Sequence, residues 1–166
     1  QHEEAARWNV EGVLEPLAPR ITVTINGRSV VVRAWRCLVR GAVAAVPVLF
    51  LDTDLGDNAP DDRALSHGMY GGDEPYRLAQ EIVLGIGGVR MLRALGLTAI
   101  QTFHLNEGHS ALLIMELLAE RLRADGRTTV TDEDVDTVRR MCVFTTHTPV
   151  AAALDQFTPE MAERVL

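Results

Sequence analysis

The chain has 166 residues, 47% of them hydrophobic and 23% charged, proportions that suit one globular domain with a core of its own. Its formal charge of −7 argues against nucleic acid or an anionic membrane surface as a partner, because both call for a basic patch. All 16 basic residues are arginine, and the absence of lysine removes Schiff-base and lysine-nucleophile chemistry from this polypeptide.

Along the chain, Gln1 in place of a starting methionine and a closing "EMAERVL" that reads as the first turns of a helix suggest a piece of something larger. "ITVTI" and "RSVVVRAW" are β-branched runs flanking Asn26-Gly27, a pair suited to a type I′ turn because both positions need φ > 0, so a hairpin is expected here. A third strand, "VPVLFLD", follows. The apolar run from Gly41 to Leu51 falls well short of the ~20 residues of a membrane helix and contains Pro47. No targeting segment is visible, and a cytoplasmic location is expected. "TDLGDNAPDDRALSHGMYGGD" is dense in Asp, Asn, Pro and Gly and reads as a long functional or mobile loop.

From Asp73 the period changes to that of a helix, with Leu78, Ile82, Ile86, Val89 and Leu92 on one face and Gly96 in the position of a helix stop. Gly85, Gly87 and Gly88 inside it each cost about 1 kcal/mol relative to alanine, so close packing against another backbone is expected to compensate. "LTAIQTFH" predicts a strand and "SALLIMELLAERL" a helix. Thr131 with "DED" predicts a capped helix start, "MCVFTT" a buried strand, and Thr158-Pro159 the start of a last helix. This alternation predicts a parallel sheet covered by helices, with ligands at the carboxyl ends of its strands. "HLNEGH" and "HTPV" follow two such ends, so their polar residues are expected on one edge of the sheet. Cys37 and Cys142, far apart and without a C-x-x-C spacing, are expected to be buried small hydrophobes.

Three chemistries compete for these residues. His104, Glu107, His109 and His147 could ligate zinc, although the inserted glycine in H-x-x-E-G-H breaks the single helix face that an inverted zincin motif uses. "GIGG" lacks the preceding strand that a dinucleotide fingerprint requires. A plainer alternative is structural: Asn106 and Ser110 satisfy loop and helix-end amides, a histidine packs on the sheet, and Asp73 caps a helix.

Taken in order, "LDTD", "MYGGDEPYRLAQEIVLGIGGVRMLRALG", "HLNEGHSAL" and "VFTTHTP" closely resemble the glycogen, starch and α-glucan phosphorylase family, particularly its short bacterial branch, over most of the chain. The resemblance implies an α/β fold, a partial Rossmann-like lobe of a two-lobed glycosyltransferase (GT-B type) with a β-hairpin region at the start. It divides the chain into a β-rich part (1–54), a gate-like loop (55–73) and an α/β part (74–166), together a fragment of the amino-terminal lobe. The implied reaction moves a glucosyl unit from an α-1,4-glucan to inorganic phosphate, giving glucose 1-phosphate, with pyridoxal phosphate as cofactor, no metal, and a homodimer among the assemblies of the parent.

By the same resemblance His147 is the catalytic-site histidine that contacts the transferred glucosyl unit through its carbonyl and ring. Asp73 belongs to the gate loop, with Tyr70 to Gly72 giving it flexibility. Asn106, Glu107, His109 and Thr148 line the sugar side of the cleft. The chain departs from the family at "VAAAL" after Pro149, where polar contacts would be expected. The cofactor lysine lies outside this polypeptide, so the fragment alone is expected to be inactive. The alternatives are a non-catalytic carbohydrate-binding or scaffold domain derived from that lobe and, from the zinc reading, a metal-dependent hydrolase.

Overall fold

Asn26 and Gly27 take φ angles of 50° and 70°, the left-handed pair that a tight hairpin needs, and they join strand β1 (Glu15–Ile25) to strand β2 (Arg28–Arg40). This computed structural model describes residues 10–68, 72–149 and 155–166. A short helical turn, α1 (Val10–Val13), precedes the hairpin, and strand β3 (Ala45–Asp52) adds to it, giving an antiparallel sheet in the order β1-β2-β3.

The segment after β3 is not the loose loop its composition suggests. Asn58 accepts from the Val31 amide at 2.8 Å and donates to the Val31 and Thr53 carbonyls at 2.7 and 2.8 Å, so its carboxamide stands in for a strand partner beyond the end of β3. Asp52 gathers Arg33, Trp35, the Asp54 amide and Ser66 around one carboxylate. Burial alone would raise the Asp52 pKa, but the bonds from Trp35, the Asp54 amide and Arg33 bring it below the usual range. Arg28 clamps the buried Asp62 at 2.7 Å on the short helix α2 (Pro60–Arg63), which runs on into a 3₁₀ turn, Ala64–Ser66. Polar residues that resemble loop filler are here the ties that hold the segment down. Tyr70 and Gly71, to which loop flexibility is assigned by resemblance, lie outside the described residues, as do residues 150–154 of the "VAAAL" departure.

The expected long helix is one rod in three parts: α3 (Glu74–Ile82), a π-helical turn (Val83–Gly87) and α4 (Gly88–Ala94). It stops before Gly96, as its pattern predicts. Leu78, Ile82 and Val89 are buried along one face. The glycine expectation holds at one position: a Cβ on Gly85 would lie 2.8 Å from the Leu113 amide nitrogen, closer than packing allows, whereas Gly88 faces open space. The wide π turn and Gly85 together let the rod touch the start of helix α5 (Leu113–Asp125).

Helix α6 (Asp132–Met141) begins with a full capping box between Thr131 and Asp134, and Asp134 also takes Arg121 and Arg127, joining α5 to α6. Strands β4 (Phe103–Asn106) and β5 (Cys142–Thr145) pair in parallel, and helix α7 (Pro159–Val165) starts at a Thr158 cap as expected. Two cores result. One lies between β1, β2, α3 and α7 around Val23, Val32, Ile82 and Val165; the other packs Val89, Phe103, Leu105, Leu117 and Val138.

Three further expectations change. The strand foreseen from Leu97 becomes regular only at Phe103, because β5 offers just four residues to pair with. Strand β5 is not buried: Val143 and Phe144 are 51% and 56% exposed, since among the described residues β4 is its sole strand partner. Cys37 and Cys142 are half-buried free thiols.

Candidate functional site

The parallel register sets Asn106 beside Thr145, so the chain leaves both strands side by side, with the Glu107 amide donating to the Thr145 carbonyl at 2.8 Å. Beyond this last rung Glu107 adopts φ 55° and ψ −153°, a region that is costly for a residue with a side chain. The strained turn buries the Glu107 side chain, leaving the residue 5% exposed, and brings its Oε1 under the loop that follows β5.

That oxygen accepts from the Thr148 amide at 2.8 Å and the His147 amide at 3.3 Å. Hydrogen bonding by the Thr148 side chain, then by the two amides, with the His147 ring nearby, holds the Glu107 carboxyl below the usual carboxylate range despite its burial. The His147 ring is held from two sides, with Nε2 3.1 Å from Asn106 Oδ1 and Nδ1 3.4 Å from Glu107 Oε1, while its side chain remains 61% exposed. The peptide between His147 and Thr148 is trans, so its N–H and C=O point in opposite directions. With the Thr148 N–H drawn inward to Glu107, the His147 carbonyl is turned away from it. The result is an exposed imidazole and an oriented carbonyl on a charged, buried support, a combination suited to binding a polyhydroxylated ligand and facing developing positive charge.

The structure brings Asn106, Glu107, His147 and Thr148 together and places the remaining candidates elsewhere. Asp73 is the N-cap of α3, accepting from the Tyr76 amide at 3.0 Å. His109, on the 3₁₀ turn Gly108–Ser110, has a ring nitrogen within 4.8 Å of carboxylate oxygens of Glu81 and Asp155. His104, exposed on β4, lies 2.6 Å from Thr145 Oγ1 through Nε2. The four candidate zinc ligands are therefore not gathered at one point. Sequence reasoning missed Arg77, Glu81, Asp155 and Thr145. A signal was available for Glu81: it stands between Leu78 and Ile82 on the apolar face of its helix, one turn after Arg77.

No protein-family model matches the chain. Among curated proteins it is 44% identical over 126 residues to a glycogen phosphorylase of Mycobacterium tuberculosis, a match covering 74% of this chain and 14% of that protein. It is 39% identical over 146 residues to a maltodextrin phosphorylase of Thermococcus litoralis, covering 88% of this chain and 17% of the relative. A glycogen phosphorylase of Aquifex aeolicus is 35% identical over 121 residues, covering 73% of the chain and 17% of its own length. The chain thus spans 14 to 17% of the length of these relatives.

Proposed function

We propose, from the premise that this chain belongs with the glycogen and maltodextrin phosphorylases as the counterpart of one stretch of them, that it supplies the donor-sugar side of an α-glucan phosphorylase site. In this reading it is part of the amino-terminal lobe of a two-lobed GT-B enzyme. The complete enzyme passes a glucosyl unit from the non-reducing end of an α-1,4-glucan to inorganic phosphate, yielding glucose 1-phosphate. His147 contacts the transferred sugar with its ring and carbonyl. Glu107, Asn106 and Thr148 hold that contact in place, and by the family resemblance alone His109 on the next turn and Asp73 at the start of α3 also face the sugar. The observation that carries the reading is the Glu107 carboxylate bound to consecutive amides of the His147 loop. A carbonyl fixed in advance loses nothing to reorganisation when positive charge develops at the sugar carbon.

Pyridoxal phosphate, which such enzymes use through its phosphate group, does not fit the residues present: the chain has no lysine to hold it as a Schiff base. Among the described residues no helix is long and apolar enough to cross a membrane. A cytoplasmic location belongs to the same proposal.

The test is His147→Ala in a full-length phosphorylase carrying this segment. If the contact strengthens in the transition state, turnover should fall on the order of 10²-fold while the Michaelis constant for maltodextrin changes far less. Near-wild-type turnover in a folded variant would remove His147 from the site. The 166-residue chain alone, given maltodextrin, phosphate and pyridoxal phosphate, is expected to release no glucose 1-phosphate. Release by the chain alone would overturn its assignment as one part of the enzyme. A non-catalytic carbohydrate-binding domain is distinguished by maltodextrin binding in a full-length protein that lacks phosphorolysis.

A further inference from the structure

Next to this site, between α3 and the turn after Glu107, lies a group of ionisable side chains to which the proposed reaction gives no chemical step. Glu81 is 8% exposed and its Oε1 has no hydrogen-bond partner. Glu81, His109 and Asp155 each bring a nitrogen or oxygen within 4.8 Å of the other two. Arg77, one helical turn before Glu81, has its Nε 2.7 Å from Asp155 Oδ1.

A divalent ion is one occupant such a set could take, but the guanidinium already paired with Asp155 puts a fixed positive charge against it. The other solution for a buried carboxyl facing a second carboxylate is to keep a proton, which removes one negative charge and creates a donor. Burial first, then the Asp155 carboxylate, push the Glu81 pKa up to about 7, against the pull of Arg77. The other elements packed on α3 bring mainly apolar groups: Val23 and Ile25 from β1, Leu65 from the Ala64–Ser66 turn, and Met161 and Val165 from α7. Among the described residues, Asp155 and Arg77 are thus the charges that bear on Glu81, and His109 lies within 4.8 Å of it.

We propose that Glu81 is a positioning residue: kept as a neutral acid facing His109 and Asp155, it lets the Gly108–Ser110 turn sit against α3. The turn begins directly after Glu107, whose strained backbone carries the carboxylate that orients His147. Glu81 therefore acts on the sugar contact through His109 and Glu107 without touching the substrate. Ionising it places two carboxylates together and loosens the brace. The proposal rests on the phosphorylase reading for its kinetic consequence, but not for the proton itself.

Three measurements test it. In a full-length phosphorylase carrying this segment, Glu81→Gln keeps a neutral donor of the same shape. It should retain turnover and flatten the fall in kcat that the wild type shows as pH rises through about 7. Glu81→Ala should lower kcat roughly 10- to 100-fold with little change in KM, as misplacement of a reacting group does. Identical pH profiles for wild type and Glu81→Gln, or unchanged kcat in Glu81→Ala, would overturn the positioning role. Independently of activity, ¹³C NMR of the glutamate carboxyls in the wild-type 166-residue chain should show one resonance titrating near 7 that Glu81→Gln removes. Its absence defeats the proposal. Titration with zinc chloride completes the set: stoichiometric binding abolished by Glu81→Gln would replace the proton with a metal, whereas no binding leaves the proton in place. If the full-length wild type makes no glucose 1-phosphate, the phosphorylase reading fails while the NMR titration still decides the state of Glu81.

Discussion

Glu107 and Glu81 flank the same short turn and are 5% and 8% exposed, yet their surroundings drive them in opposite directions. Glu107 meets donors: the Thr148 side chain and the His147 and Thr148 amides stabilise its charge and depress its pKa. Glu81 meets an apolar helix face and the Asp155 carboxylate, and its nearest cation is already spent on that carboxylate, so its pKa rises to about 7. Low exposure alone therefore does not fix the charge: desolvation and a neighbouring carboxylate prevail at Glu81, whereas donors prevail at Glu107. One glutamate fits the role of an anionic brace and the other that of a neutral acid, although both are glutamates in the same fold.

The largest effect expected from breaking this contrast is at Glu107. Glu107→Ala in a full-length phosphorylase should cost on the order of 10²-fold in turnover, because it frees the peptide that aims the His147 carbonyl. Full activity in a folded Glu107→Ala variant would show that the brace is dispensable. Next comes the contact that holds the π-helical turn after α3 against α5. Gly85→Ala forces a methyl against the Leu113 backbone and should destabilise the chain by roughly 1–3 kcal/mol in urea unfolding. The same variant should move the Glu81 titration more than that of Glu107, because α3 carries Glu81; equal shifts in both would mean that the two environments are not separate.

The pH dependence sharpens the comparison further. The depressed Glu107 pKa contributes stability that is present above the ordinary carboxyl value of 4.5 and is lost as pH falls through the lowered one. The raised Glu81 pKa contributes stability that is complete below 4.5 and is lost as pH rises through about 7. Thermal melts of Glu107→Gln should therefore lose part of the acid limb of the wild-type curve, and melts of Glu81→Gln should lose part of the decline between these two values. Parallel curves for both variants would contradict the opposed shifts. The smallest effect is expected at Thr145→Val, which removes the exposed His104 bond and should cost about 0.5–1.5 kcal/mol with turnover unchanged. A large loss of turnover there would bring His104 into the site.

Much of the fold was legible because it is written in local chemistry. Asn26-Gly27 fixes the first hairpin, Thr131 and Thr158 cap the helices they precede, and the spacing of Leu78, Ile82 and Val89 marks the buried face of the rod. The site was legible in part. Asn106, Glu107, His147 and Thr148 were picked out by motif and do converge, whereas His109 and Asp73 share those motifs but turn to other partners. Burial of β5 could not be read from "MCVFTT", because an apolar run specifies a surface to be covered without supplying the cover.

The sequence by itself determined the parallel α/β pattern of the second half, the hairpin sheet of the first, the absence of lysine, and the two loops at neighbouring strand ends. Periodicity, caps and turns act over a few residues, and strand polarity follows from the helices between strands. Only the tertiary structure decided that Asn58 would complete the ladder of β2, that Glu107 would reach the amides at positions 147 and 148 through a strained turn, and that Glu81 would face Asp155 rather than a free cation. Those outcomes depend on donors and acceptors dozens of residues apart in the chain, and the charge a buried carboxyl keeps is set by which of them the fold brings within reach.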